Sequence, residues 1–117
     1  MSSDQPHRIR LRKPWQVEPL PHGLRWRRIF HQPTGLGAAA RVWIVVDGIL
    51  ATGSVTLNDQ PLGRLAGPGS PCRFEVTGLL RGRNELVLAI DRTPQGDETA
   101  ASCPPGEVWI EISPGER

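Results

Sequence analysis

Between Gly48 and Gly82 the chain never runs more than seven residues without a glycine or a proline. A helix of average length, about 11 residues, has no room there. Interior proline costs a helix about 3 kcal/mol and interior glycine about 1 kcal/mol. Short strands joined by turns do fit, and the residues between the breaks alternate accordingly. In "SVTLND" the apolar residues fall on every second position before Asn58-Asp59, a pair that tolerates the left-handed backbone of a two-residue hairpin. The short run "PLGRLA" follows it. "CRFEVT" directs Phe74 and Val76 to one side, and "NELVLAI" does the same with Leu86, Leu88 and Ile90.

The same alternation recurs outside this stretch. Residues 8–13 put Ile9 and Leu11 on one face and Arg8, Arg10 and Arg12 on the other. Residues 24–30 align Leu24, Trp26 and Phe30. "RVWIVVDG" turns Val42, Ile44 and Val46 inward and Trp43 and Val45 outward, and "EVWIEI" turns Val108, Ile110 and Ile112 inward and Trp109 and Glu111 outward. "PWQVEPLPHG" is too rich in proline for a central strand. "HQPTGLGAAA", "GPGSP" and the long polar "DRTPQGDETAASCPPG" read as loops. The expectation is one all-β domain over residues 1–117, with its core at about 8–112 and short polar tails. Eight short strands of this kind form a two-sheet jelly-roll sandwich.

Charge is unevenly spread. Residues 1–41 carry eight Arg or Lys against Asp4 and Glu18, a balance of +6, while the remainder sums to −4. The bases alternate with apolar residues in "HRIRLRK" and "LRWRRIF", the pattern of solvent-facing strand positions. With one lysine and no nucleic-acid-binding motif, no nucleic-acid partner is expected. The opening residues lack the apolar core of a secretory signal, and the longest apolar run, "VWIVV", is too short to span a bilayer. A cytoplasmic location without membrane contact is the expectation. Cys72 and Cys103 allow one disulfide at most, and in a reducing compartment they are expected as free thiols.

Residues 24–90, and more loosely 107–112, resemble the sugar-binding domain of family 2 glycoside hydrolases. The resemblance rests on Trp26-Arg27-Arg28-Ile29-Phe30, Pro33, Arg41-Val42, Asp47-Gly48 and the hairpin Gly53-Ser54-Val55-Thr56-Leu57-Asn58-Asp59. Leu62-Gly63, Phe74-Glu75-Val76-Thr77, Leu79-Leu80 and Asn84-Glu85-Leu86-Val87-Leu88 follow in order. It implies a galactose-binding-like jelly roll, non-catalytic in itself, that precedes the catalytic barrel of β-galactosidases and β-glucuronidases. Asp59 stands where that pattern has glycine, and "RLAGPGSP" stands where a histidine and aromatic residues often follow. Asn84-Glu85 is similar to the acid/base dipeptide of the family's barrel, but here it opens a core strand.

No catalytic residue is expected. A glycosidase needs two carboxylates converging on one bond, and no motif here fixes such a pair. His7, His22 and His31 lack ligand spacing, and no phosphate loop or nucleophile elbow is present, so neither metal nor cofactor is expected. Binding is the function left, and the tryptophans are its best carriers. In an eight-stranded jelly roll the first, eighth, third and sixth strands share a sheet, which puts Trp43 and Trp109 on one outer face. Arg8, Arg10 and Arg12 flank them on one side, and Arg73 and Glu75 on the other. Flat rings suit sugar stacking, and guanidinium forks suit hydroxyls. A carbohydrate platform of Trp43, Trp109, Arg10, Arg73 and Glu75 is therefore one reading. The others are that arginine stems or the proline-rich segment cover the rings, or that the face is a homodimer interface. A second candidate site is the loop end, with Asp97, Glu98, Thr99 and Ser102, which reads equally as a solvated loop. The leading expectation is a carbohydrate-binding-like module. The alternative is a structural or protein-interaction sandwich, as a homodimer or beside a separately encoded catalytic chain.

Overall fold

The computed structural model describes residues 7–12, 15–33, 39–49, 52–66, 71–91 and 106–113. They form nine strands: β1 (His7–Arg10), β2 (Gln16–Leu20), β3 (Gly23–His31), β4 (Arg41–Asp47), β5 (Thr52–Leu57), β6 (Gln60–Ala66), β7 (Cys72–Glu75), β8 (Arg83–Asp91) and β9 (Glu107–Ser113). One antiparallel sheet has the order β1-β9-β4-β7, and the other the order β2-β3-β8-β5-β6. All eight expected strands are present. With β2 set aside, the two orders are those of a jelly roll. Among the described residues, no helix is long and apolar enough to cross a membrane.

The strand that alternation did not reveal, β2, lies in the proline-rich segment. It pairs with β3 alone, and the Pro21-His22 turn brings Leu20 opposite Gly23. Pro19 offers no N–H, which an edge strand tolerates and a central one does not. The inner faces of the two sheets meet in a core led by Trp26, Ile44, Leu57, Leu86, Leu88 and Ile110. Trp15 is buried in the same core and donates its indole N–H to the Leu11 carbonyl at 3.0 Å. Arg28, which strand alternation turns toward the core side with Trp26 and Phe30, donates from Nε to the Arg12 carbonyl at 2.9 Å. That bond ties the segment after β1 to β3.

The β5–β6 hairpin turns on Asn58 and Asp59, with φ of 51° and 68°. Both are left-handed, as a two-residue hairpin of this type requires. Asn58 does more than turn. Its Oδ1 accepts from the Glu85 backbone N–H at 2.9 Å, and its Nδ2 donates to Asn84 Oδ1 at 3.1 Å. Asn84 is fully buried. Its Oδ1 also accepts from the Arg81 N–H at 2.8 Å, and its Nδ2 donates to the Arg81 carbonyl at 2.8 Å. The two amides lock the hairpin onto the start of β8.

At the edge formed by the same hairpin, β6 of one sheet meets β7 of the other. A Cβ added to Gly63 would lie 2.6 Å from Cε1 of the Phe74 ring. Gly63→Ala is therefore expected to lower stability by about 1–3 kcal/mol, the usual cost of overpacking, measured as a shift in the urea midpoint. An unchanged midpoint would mean that the ring moves aside freely.

Candidate functional site on the outer face of the four-stranded sheet

Strand register builds the outer face of the four-stranded sheet as two rows. One row runs Arg10, Trp109, Val45, Arg73 across β1, β9, β4 and β7. The next runs Arg8, Glu111, Trp43, Glu75. Trp43, Trp109, Arg10, Arg73 and Glu75 therefore share one face. Asp97, Glu98, Thr99, Ser102 and Cys103 lie outside the described residues. Cys72 is a half-buried free thiol on β7.

The two indoles do not stand open. The Arg8 guanidinium lies over Trp109, 5.1 Å from the ring centroid, and the Arg73 guanidinium lies over Trp43 at 4.4 Å. Each stack contributes about 0.5–1 kcal/mol at a surface of this kind. Both cations converge on Glu111. Arg73 Nη2 donates to Oε2 at 2.8 Å, and Arg8 Nε lies 3.6 Å from Oε1. Trp109 Nε1 donates to the same Oε1 at 3.3 Å. The carboxylate is thus held from three sides and bridges two guanidinia that rest on two rings. Beneath this roof Trp109 is 8% exposed, Val45 2% and Glu111 7%, although all three point away from the core. Trp43 is half-buried.

The remaining expected residues stand apart from the bridge. Glu75 Oε2 accepts from the Thr77 hydroxyl at 2.8 Å, and the Thr77 oxygen accepts the Val42 N–H at 3.0 Å. Glu75 therefore braces the end of β7. Arg10 is exposed and pairs with no carboxylate among the described residues. Glu111 is not among the candidates, and Arg8 is expected only to flank the rings, outside the proposed platform. The signal for them was present in the alternation: Glu111 shares the outward face of β9 with Trp109, and Arg8 that of β1 with Arg10.

Among the described residues the carboxylates do not gather into a recognisable acid/base site. Among the described residues Asp47 and Glu107 are the one acidic pair directly opposite in register. Asp47 is half-buried and Glu107 exposed. Asn84 is committed to the buried amide cluster, and Glu85 pairs with Arg27 on the other sheet, with Oε2 3.0 Å from Nε. No group of three or more His, Cys, Asp or Glu residues suited to a metal ion occurs among the described residues.

No family model and no curated protein matches the chain. Solved structures do match it. A β-glucuronidase of Faecalibacterium prausnitzii, described as FMN-binding, superposes with a TM-score of 0.72 at 20% identity, covering 96% of this chain and 23% of its own. A Bifidobacterium dentium β-glucuronidase gives 0.71 at 17% identity, with 97% and 31% covered. The Dictyoglomus thermophilum enzyme gives 0.71 at 12% identity, with 97% and 29% covered. The chain spans less than a third of each of these enzymes. At such identities the likeness carries architecture and nothing finer. In that architecture the structure and the sequence agree: the chain has the β-sandwich fold of a segment of β-glucuronidases, consistent with its resemblance to the sugar-binding domain of family 2 glycoside hydrolases.

Proposed function

We propose that this chain is a non-catalytic β-sandwich module that works by docking to protein, and that its tryptophan face is a closed structural surface. One observation carries this reading: the Arg8–Glu111–Arg73 bridge already occupies the ring faces that a sugar would need. Stacking requires an open aromatic face, and here each indole carries its own guanidinium. The scattered carboxylates support the non-catalytic part. The share of chain length supports the docking part, since the matching fold makes up 23–31% of the β-glucuronidases that carry it. In those proteins it is one segment of a larger body. A larger catalytic body is accordingly a partner of the kind this module would serve.

A carbohydrate role remains the competing reading, favoured by the fold neighbours themselves, one of which is a complex with coumarin-3-O-glucuronide. Calorimetric titration with a panel of mono- and oligosaccharides separates the two. Docking to protein predicts no saturable heat at millimolar sugar. A saturable heat that disappears in Trp43→Ala would overturn it and establish the tryptophan face as a sugar platform.

A further inference from the structure

Among the described residues the four-stranded sheet is one strand narrower than the sheet it packs against; β7 meets β6 at one edge, so the shortfall lies at the other, beside β1. β2 extends the five-stranded sheet beyond β3. Arg28 of β3 reaches the Arg12 carbonyl just past the end of β1. With β3 thus stacked at β1, β2 overhangs the outer edge of β1. Val17, which pairs with the core residue Trp26 and so faces inward, is only half-buried.

The backbone of that edge can be read from register. The Leu11 N–H donates to the Val108 carbonyl at 2.9 Å, continuing the β1–β9 ladder. In an antiparallel pair the hydrogen-bonding groups of successive residues point to opposite sides. Those of His7, Ile9 and Leu11 therefore turn to β9, and those of Arg8 and Arg10 turn away from it. The Arg12 carbonyl, next in the same series, is taken by Arg28. Among the described residues no backbone group pairs with Arg8 or Arg10 on that side.

We propose that the outer edge of β1 accepts an extended segment of a partner protein in which acidic and apolar residues alternate. This rests on the docking reading given above and names the partner's chemistry. The added strand would make the sandwich five strands on each side. Its outward side chains would stand opposite Arg8 and Arg10, where carboxylates are favoured and bases opposed. β9 already shows this pairing on the other side of β1, where Glu111 stands opposite Arg8. Its inward side chains would face Val17 across the gap, where apolar groups are favoured. Charged edge strands ordinarily discourage indiscriminate pairing. Here the arginines exclude neutral and basic strands and admit an acidic one, so the same residues supply specificity.

The test is fluorescence anisotropy with a labelled synthetic peptide, Val-Glu-Val-Glu-Val-Glu-Val, against the full chain. The proposal expects saturable binding that weakens with salt. It also expects Arg10→Glu to lower affinity about tenfold, as reversing a cross-strand ion pair would. Arg10 is the chosen site because it takes no part in the Glu111 bridge, so the variant keeps its fold. The same peptide with N-methylated backbone amides should bind at least tenfold more weakly, because strand addition depends on main-chain hydrogen bonds. Absence of binding by the parent peptide would overturn the proposal. So would equal binding by the N-methylated peptide, or an Arg10→Glu variant with unchanged affinity. The docking reading fails on a different result, a saturable response to sugar, so the two are separable.

Discussion

Replacing Asn84 by leucine is expected to lower stability by about 3 kcal/mol. Asn84 is fully buried, and its amide satisfies both the N–H and the carbonyl of Arg81 while accepting from Asn58. Leucine has the same branching at Cγ but is bulkier and returns none of these bonds. Each stranded buried partner costs about 1–3 kcal/mol. The loss falls on two elements at once, because Asn58 holds the β5–β6 hairpin turn and bonds the Glu85 backbone. Asn58→Gly, which keeps the left-handed turn and removes only the amide, should cost less than half as much. Urea unfolding of the two variants checks this. If Asn84→Leu unfolds at the wild-type midpoint, the amide cluster contributes nothing to stability.

The second large effect is at Glu111. Glu111→Gln keeps the size of the side chain but removes the charge that holds two guanidinia over the indoles. Breaking a fully buried ion pair costs about 3–5 kcal/mol. The arginine side chains here are 64% and 46% exposed, so water recovers much of their charge energy. The expected loss is about 1–2 kcal/mol by urea unfolding, and it should shrink in high salt, which screens exposed charges. A loss that did not change with salt would mean that Glu111 acts through packing alone.

Much of the architecture could be read from alternation. Trp43 and Trp109 were assigned to the outer face by period-2 reading alone, and jelly-roll order alone made their strands neighbours. The Asn58-Asp59 turn was equally plain. β2 was hidden because proline argues against a strand, and only its edge position, with β3 as sole neighbour, removes the objection. The Asn84 cluster was hidden for a different reason. Its partners, Asn58 and Arg81, belong to a hairpin turn and to the segment ahead of β8, and no local pattern brings them together.

The closed face is legible in the sequence only as one of several open readings, and alternation does not choose among them. Alternation says which way a side chain leaves the sheet, but not whether a neighbour then folds over it. Val45 is outward by alternation and yet almost fully buried. Long arginine side chains can cover apolar surface from a strand away. Arg8 and Arg73 do so because Glu111, between them, gives each cation a common acceptor.

Acrylamide quenching of tryptophan fluorescence tests that closure most directly. Three of the four indoles, Trp15, Trp26 and Trp109, are buried, and Trp43 is half-buried under Arg73. The wild-type chain should quench weakly, and Arg8→Ala combined with Arg73→Ala should raise the quenching slope severalfold while the far-ultraviolet spectrum stays that of a β-sandwich. A wild-type slope near that of free indole, unchanged in the double variant, would contradict the closed face and return Trp43 and Trp109 to the role of an open platform.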